Sequence, residues 1–277
     1  MPQTLAKSLE PGEPADLQPG KEYETANSLP LVLPDGDAPG LAYVMEPTQL
    51  TEAHNKKVKD LKRINTDPQT YKIAYKDGSV YTGEVDAVRQ KPCNFGSFVH
   101  ANGEEYEGEF YNGMAQGKGS YTHSDGTVFK GHMSDDLKNG YGEEWYTNGD
   151  KYSGYFANGL KHGMGKYDWS SGAYYNGHMD GDRRQGLGVM KVEDVESYTG
   201  LWLNDKRHGK GRIKYANGDT YQGTFVNGKR EGPGVLKNHS SIYKGNFEND
   251  VQHGDGVEVD RKSKKKVAVR YNYGARV

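Results

Sequence analysis

Residues 152–167 read YSGYFANGLKHGMGKY, and this stretch decides the fold of the chain. A tyrosine, a glycine and a phenylalanine stand at alternate positions, Asn158-Gly159 interrupts the alternation, and a Gly-x-Gly triplet then begins at Gly163. Alternation with a period of two is typical of a β-strand with one buried face, and Asn-Gly supplies the positive φ angles of a tight hairpin turn. The stretch therefore predicts one β-hairpin.

The hairpin pattern recurs along the chain at a spacing close to 23 residues. Tyr-x-Gly occurs in phase at Tyr81, Tyr106, Tyr152, Tyr175, Tyr198, Tyr221 and Tyr243, and Phe129 takes the tyrosine place in one further copy. A glycine pair follows in seven copies, as Gly117/Gly119, Gly140/Gly142, Gly163/Gly165, Gly186/Gly188, Gly209/Gly211, Gly232/Gly234 and Gly254/Gly256. The first copy has Asn94-Phe95-Gly96 instead, with two extra residues in the preceding loop. Eight antiparallel hairpins are predicted.

Counting by twos from each tyrosine predicts which side chains share a face. The predicted aromatic face comprises Tyr106, Phe110, Tyr152, Phe156, Tyr175, Tyr198, Trp202, Tyr221, Phe225, Tyr243 and Phe247. The paired glycines are interpreted as structural gaps into which neighbouring rings fit. Because a single layer of sheet leaves such a face uncovered, we expect it to bind a partner protein or a second copy of the chain.

Basic residues recur eight to ten positions after the repeat tyrosine. The predicted basic edge comprises Lys161, Arg183, Arg184, Lys206, Arg207, Lys229 and Arg230. Such an edge suits anionic lipid head groups or an acidic protein segment, and it is equally typical of charge that keeps hairpin tips soluble. The compact basic run 261–266 leaves the same alternatives open.

The composition divides the chain into four parts. Residues 1–47 hold eight of the eleven prolines and a net charge of −6, so an acidic, proline-rich, disordered tail is predicted there. Residues 48–70 are predicted to form a short helix and a linker, with apolar residues three or four apart as far as Ile64. The repeat array is predicted for 71–260 and a basic extension for 261–277.

Several function classes are disfavoured by the sequence. Gly-x-Gly recurs in hairpins without the following helix and lysine that a phosphate loop needs, and His162, His208 and His253 are spread one per repeat. We therefore expect no catalytic residues, no metal and no cofactor. The formal net charge of −2 does not favour nucleic acid. A single cysteine, Cys93, and the lack of a long apolar run favour a soluble, cytoplasmic protein.

The spacing with Tyr-x-Gly, Asn-Gly and Gly-x-Gly resembles the membrane occupation and recognition nexus (MORN) repeat, over residues 76 to about 260. The resemblance implies an all-β fold, an elongated single-layer antiparallel sheet of about eight hairpins. The first copy departs from it by its missing glycine, and the last by Glu258 and Asp260 at places that are apolar in most copies.

The same resemblance implies a function. An array with short flanks is similar to those of ciliary and flagellar proteins, especially radial spoke head proteins. It implies a non-catalytic scaffold of an axonemal assembly, located in the cytoskeleton and bound to other proteins of a multi-subunit complex. The alternatives are a peripheral membrane adaptor that binds anionic phospholipids and a regulatory subunit of an enzyme.

Overall fold

The computed structural model describes residues 70–277, and every regular element in that range is a β-strand. The strands are β1 (Thr70–Ala74), β2 (Val80–Asp86), β3 (Lys91–Val99), β4 (Glu105–Tyr111), β5 (Met114–Thr122), β6 (Val128–Ser134), β7 (Leu137–Trp145), β8 (Lys151–Ala157), β9 (Leu160–Asp168), β10 (Tyr174–Asp180), β11 (Arg183–Val192), β12 (Glu196–Leu203), β13 (Lys206–Tyr215), β14 (Thr220–Val226), β15 (Lys229–Lys237), β16 (Ser241–Glu248), β17 (Val251–Asp260), β18 (Lys266–Asn272) and β19 (Ala275–Arg276). The predicted tail 1–47 and the predicted helix within 48–70 lie outside the described residues.

Each strand pairs antiparallel with the next one along the chain, which gives one open sheet of 19 strands. The predicted all-β, single-layer antiparallel architecture is confirmed. The eight predicted hairpins are β2–β3 through β16–β17, taken in consecutive pairs.

The sheet continues beyond the predicted repeat array at its C-terminal end. Strands β18 and β19 lie in the segment that was predicted only as a basic extension. Val269 and Tyr271 alternate along β18, Val269 is buried, and the ring of Tyr271 lies 5.4 Å from that of Tyr243. The three lysines before this strand obscured a short alternating pattern in the sequence.

The hairpins turn in two residues that both have positive φ angles. Asn158 and Gly159 have φ of 49° and 86°, and Asn204 and Asp205 have φ of 48° and 67°. The first hairpin is the exception, because four residues, 87–90, connect β2 to β3. The two extra residues of the first copy therefore lie in this turn.

The register places residues of like kind opposite one another. Gly154 pairs with Gly165 and Tyr152 with Tyr167, and the same match recurs in the other hairpins with substitutions at the second tyrosine place. We call the side of the sheet that carries the repeat tyrosines and these glycines the core face. The opposite side, formed by the intervening residues, is the outer face.

Candidate functional site

The aromatic rings of the core face are buried by one another. The ring of Tyr198 meets Trp202 at 5.1 Å and 86°, and it meets Phe225 of the next hairpin at 5.2 Å and 88°. This edge-to-face contact is favourable for aromatic pairs and links one repeat to the next.

No ring of the predicted aromatic face exposes more than 6% of its surface. The expectation that these eleven side chains form an open partner-binding groove is therefore wrong. These rings are covered by apolar side chains of their own and adjacent repeats, including the partly buried Phe98, Tyr121 and Tyr167, so the single-layer sheet carries its hydrophobic core on one side. A partner has no direct access to the eleven rings.

Two glycines that face each other across the hairpin make room for the tyrosine. Tyr198 lies flat over Gly200 and Gly211, and a Cβ atom built on Gly211 would lie 2.6 Å from Cε2 of Tyr198, far inside van der Waals contact. The Tyr198 hydroxyl donates a hydrogen bond to the carbonyl of Leu201 at 2.8 Å. The ring therefore closes over the glycines and is fixed at its far end.

Only the second glycine of each Gly-x-Gly triplet lies under the aromatic ring of its repeat. A Cβ atom on it would lie far inside van der Waals contact with that ring, so these positions accept glycine alone. The structural role predicted for them therefore agrees with the packing. These glycines are Gly119, Gly142, Gly165, Gly188, Gly211, Gly234 and Gly256.

The first glycine of each triplet has a different role, and its interpretation as a gap for a ring is wrong. No repeat ring lies over it; instead its φ is between 61° and 95°, which an L side chain rarely adopts. It lies where the register of the hairpin shifts, as between Gly154 and Phe156, so the positive φ belongs to a β-bulge. These glycines are Gly117, Gly140, Gly163, Gly186, Gly209, Gly232 and Gly254.

Four of the seven residues of the predicted basic edge lie over the aromatic core. The guanidinium of Arg184 is 4.5 Å from the centre of the Trp202 ring, and that of Arg207 is 5.2 Å from the centre of Tyr198. Lys161 and Arg230 occupy the same place in their repeats, 5.4 Å from the rings of Tyr152 and Tyr221 respectively. These cations close the turn end of the core rather than projecting from it.

Carboxylates neutralise these inward cations. Asp205 accepts hydrogen bonds from both the backbone N–H and Nε of Arg184, each at 3.0 Å, and its own N–H donates to the carbonyl of Arg184 at 3.1 Å. Asp182 accepts a hydrogen bond from the backbone N–H of Lys161 and pairs with its ammonium group, and Asp250 does the same for the backbone N–H and guanidinium of Arg230 from the same turn position.

The edge is therefore not uniformly basic, and this part of the prediction is corrected. Arg183, Lys206 and Lys229 remain exposed, whereas Lys161, Arg184, Arg207 and Arg230 are ion-paired. Acids that the predicted edge did not include pair with these four cations: the following turn supplies them in three cases, and Glu196 pairs with Arg207.

An ionic cluster marks the third hairpin. Glu144 takes the return-strand place opposite Phe129, where Tyr121 and Tyr167 stand in the neighbouring copies. Its side chain is only 7% exposed, and its carboxylate pairs with the ammonium group of Lys138, which lies over the ring of Phe129.

The cluster holds Glu144 in its ionised form. Nζ of Lys161 lies 3.6 Å from Oε2, and the Tyr146 hydroxyl also donates to the carboxylate. Burial alone raises the pKa of Glu144, but the hydrogen bonds from Lys138 and Tyr146 and the two lysine charges outweigh it and bring the pKa below its usual value. Neither Lys138 nor Glu144 was predicted as a site residue. The sequence could have indicated Glu144, because an acid stands there at a position that is aromatic in the neighbouring copies.

The outer face remains accessible and carries a charge pattern. Strand β4 presents Glu105, Glu107 and Glu109 at alternate positions, and β13 presents Lys210, Arg212 and Lys214 in the same way. One strand of this face is thus acidic and another basic, a difference that the overall net charge of −2 does not reveal.

The remaining candidate residues are dispersed. Nδ1 of His162 lies 3.2 Å from Asp180, and His208 and His253 lie in other hairpins. Within residues 70–277 no group of three potential ligands could hold a metal ion, and the same range contains no helix long and apolar enough to cross a membrane. Cys93 is half-buried, and burial raises the pKa of its thiol, which disfavours the reactive thiolate.

Comparison with known proteins identifies the repeat. The family model described as MORN repeat matches residues 106–128, 129–151, 152–174, 198–220, 221–239 and 243–262. No curated protein matches the chain.

Two solved structures share limited similarity with it. One is the TCP domain of SAS-4 (dCPAP) of Drosophila melanogaster in complex with a proline-rich motif of Ana2 (dSTIL), at 12% identity over 75% of this chain and 97% of that chain, with a TM-score of 0.32. The other is a catalytically inactive virginiamycin B lyase from Staphylococcus aureus with quinupristin, at 13% identity over 78% and 75% of the two chains, with a TM-score of 0.16.

The unmatched hairpins β2–β3 and β10–β11 have the same geometry as the matched ones. Tyr81 lies over Gly83 and Gly96 in the first, and Tyr175 lies over Gly177 and Gly188 in the second. Both tyrosines donate to the carbonyl three residues on, at 2.7 and 2.8 Å. The chain therefore carries six MORN repeats, and two further hairpins share the same tyrosine and glycine packing.

Proposed function

We propose that this protein is a non-catalytic scaffold that binds other proteins through the outer face of its sheet. MORN repeats indicate a repeat protein that mediates interactions with proteins or membranes. The observation that carries the proposal is the burial of the eleven predicted rings on the core face, each of which is at most 6% exposed. Binding then falls to the outer face, which the described strands present along their whole succession.

The packing suits a static brace. Each repeat locks onto the next through edge-to-face rings and through turn-to-turn hydrogen bonds, such as that from the Gly228 N–H to the carbonyl of Arg207 at 2.8 Å. Repeat proteins built this way hold nearest neighbours in a fixed order and present long surfaces to partners. Catalysis, a bound cofactor and nucleic-acid binding have no part in the proposal.

We place this scaffold in the axoneme of a cilium or flagellum, as a component of a radial spoke or a similar multi-subunit cytoskeletal complex. Support for this placement is the resemblance of the array to those of radial spoke head proteins. The competing candidate is a peripheral membrane adaptor, which the exposed basic loop around Arg261 and Lys262 favours.

Detergent extraction of ciliated cells that express the tagged full chain tests the placement. An axonemal scaffold stays with the isolated axonemes through detergent and is released only by a salt wash. Complete release with the membrane fraction overturns the placement and favours the adaptor. A reporter with the same tag and no MORN repeats provides the control for trapping in the axoneme.

A further inference from the structure

A row of lysines crosses the outer face of the C-terminal hairpins. The register aligns Lys191, Ser197, Lys214, Thr220 and Lys237 directly across strands β11 to β15. Neighbouring strands are about 4.8 Å apart, so these lysines recur at about 10 Å along the sheet.

Three further cations widen this row into a patch. Lys210 and Arg212 stand beside Lys214 on β13, and Lys244 follows on β16, in rows parallel to the first. We call the six residues Lys191, Lys210, Arg212, Lys214, Lys237 and Lys244 the cationic patch. Between β11 and β16 the three rows that contain it hold no aspartate or glutamate.

The cations of the patch are free within the described residues. None of the six side chains forms an ion pair or a hydrogen bond there, and five of the residues are exposed, Arg212 being half-buried. Two lysines elsewhere on the outer face differ, because Lys151 pairs with Glu143 at 3.1 Å and Lys166 with Asp168 at 2.7 Å. Six uncompensated charges on β11, β13, β15 and β16 repel one another, and an anionic partner relieves that repulsion.

We propose that the cationic patch docks an extended acidic segment of a partner protein, lying across the strands. This inference rests on the proposed scaffold function and specifies the partner chemistry for one region of it. An extended segment in the polyproline II conformation has three residues per turn and rises about 3.1 Å per residue, so acidic side chains at every third position lie on one face about 9 Å apart and match the spacing of the lysine row. The patch spans about 24 Å from β11 to β16, the length of about eight residues in this conformation.

Two other anionic partners fit the patch less well. Single-stranded nucleic acid is held by aromatic platforms in addition to charge, and the three rows contain no aromatic residue between β11 and β16. A bilayer is flat, whereas adjacent strands of a sheet rotate by about 20°, which turns the two ends of the patch away from each other by about 100°. A flexible acidic segment follows that rotation.

Fluorescence anisotropy with the full chain tests the docking. The probe is a labelled peptide with glutamate at every third position, and its partner is the same peptide with glutamine there. The glutamate peptide binds, the glutamine peptide does not, and added salt weakens the binding. The triple variant Lys191→Gln, Lys214→Gln, Lys237→Gln weakens binding at least tenfold.

The matched control is the triple variant Lys130→Gln, Lys151→Gln, Lys166→Gln, which removes the same charge from outer-face lysines of β6, β8 and β9. It changes the affinity less than twofold. Equal weakening by both triples, or no binding of the glutamate peptide at low salt, overturns the proposal. So does tighter, patch-dependent binding to phosphatidylserine vesicles or to a single-stranded oligonucleotide, or salt-sensitive self-association through the acidic strand β4. All of these outcomes are independent of whether the protein is retained in axonemes.

Discussion

Alternate residues of the same strands build the core face and the outer face of this sheet, and the two faces differ in what a substitution disturbs. On the core face, Tyr198 is enclosed by two rings and two glycines, so any added atom meets another atom. On the outer face, Lys214 stands between Ser197 and Thr220 and is open to solvent. Apolar packing is concentrated on one face, and solvent-exposed charge on the other.

The largest expected effect is unfolding of the core face by alkali. Seven repeat tyrosines are buried there, and burial raises the pKa of each, that of Tyr221 to about 12. An unfolded tyrosine ionises near its ordinary pKa of about 10. The stabilising contribution of these groups is therefore complete below pH 10 and is lost as pH rises towards the folded pKa values.

We expect tyrosinate absorbance and the circular dichroism of the sheet to change together in one steep transition above pH 10. A gradual tyrosine titration near pH 10 with the dichroism unchanged would contradict the burial of these hydroxyls.

The next largest effect comes from adding one methyl group to the core face. Gly211→Ala places a Cβ 2.6 Å from the Tyr198 ring and costs about 3 kcal/mol of unfolding free energy through overpacking. Ser197→Thr adds a methyl on the outer face of the adjacent strand and changes the free energy by less than about 0.5 kcal/mol. Urea denaturation of both variants measures the difference, and equal costs would contradict the distinction between the faces.

The sequence was sufficient to predict the hairpins because their signals are local. Tyr-x-Gly, the turn dipeptide and Gly-x-Gly lie within sixteen residues in 152–167, and the parity of strand positions assigns each side chain to a face. Burial of the rings was not predictable in the same way. Parity places Trp202 on the core face, but only the register of adjacent hairpins shows that Tyr175 and Tyr198 cover it.

The two glycines of a triplet were likewise indistinguishable in the sequence. Parity alone places Gly209 and Gly211 on one face, and both were interpreted as gaps for a ring. The bulge between Gly200 and Trp202 takes Gly209 out of that role and leaves only Gly211 beneath Tyr198. A bulge changes the count of residues on one strand, so it becomes visible only when the register of both strands is known.

Charge compensation also depends on contacts between repeats. Arg184 appears within a basic pair in the sequence, and its partner Asp205 is 21 residues away in the following turn. Comparing equivalent positions of all copies would have revealed Glu144, because this acid stands where neighbouring copies have tyrosine. Predicting the alignment of the lysines across the outer face requires both the parity of the strand positions and the register of the strands.

Glu144 places a charge on the core face, so its substitution tests how far stability there depends on ion pairing as well as on packing. Glu144→Gln leaves Lys138 and Lys161 without their shared carboxylate and costs about 3 kcal/mol of unfolding free energy at neutral pH. The folded pKa of Glu144 lies below its usual value, so its contribution is complete above about pH 4.3 and is lost as pH falls through the folded pKa. The difference between variant and wild type should therefore shrink in acid.

The adjacent outer-face residue provides the control for that prediction. Glu143 pairs with Lys151, and both side chains are about one-third exposed. Glu143→Gln should change the unfolding free energy by less than about 0.5 kcal/mol, because surface ion pairs contribute little. Chemical denaturation of both variants across a pH series tests the two residues together, and a pH-independent cost for Glu144→Gln would contradict the ionised cluster.

The smallest effect concerns the two-residue turn that connects β12 to β13 at the edge of the sheet. Asp205 has a φ of 67° and pairs with Arg184, whereas Gly159 and Gly228 stand at the same turn position in other repeats. Asp205→Gly removes the ion pair and relieves the backbone, so we expect a loss of about 0.5 kcal/mol of unfolding free energy. Asp205→Ala removes the pair and keeps the unfavourable φ, with an expected loss of about 1.5 kcal/mol. The difference between the two variants in urea denaturation isolates the backbone contribution. Equal losses would mean that the carboxylate alone accounts for the aspartate, and that the inward cations depend on it more than their aromatic contacts suggest.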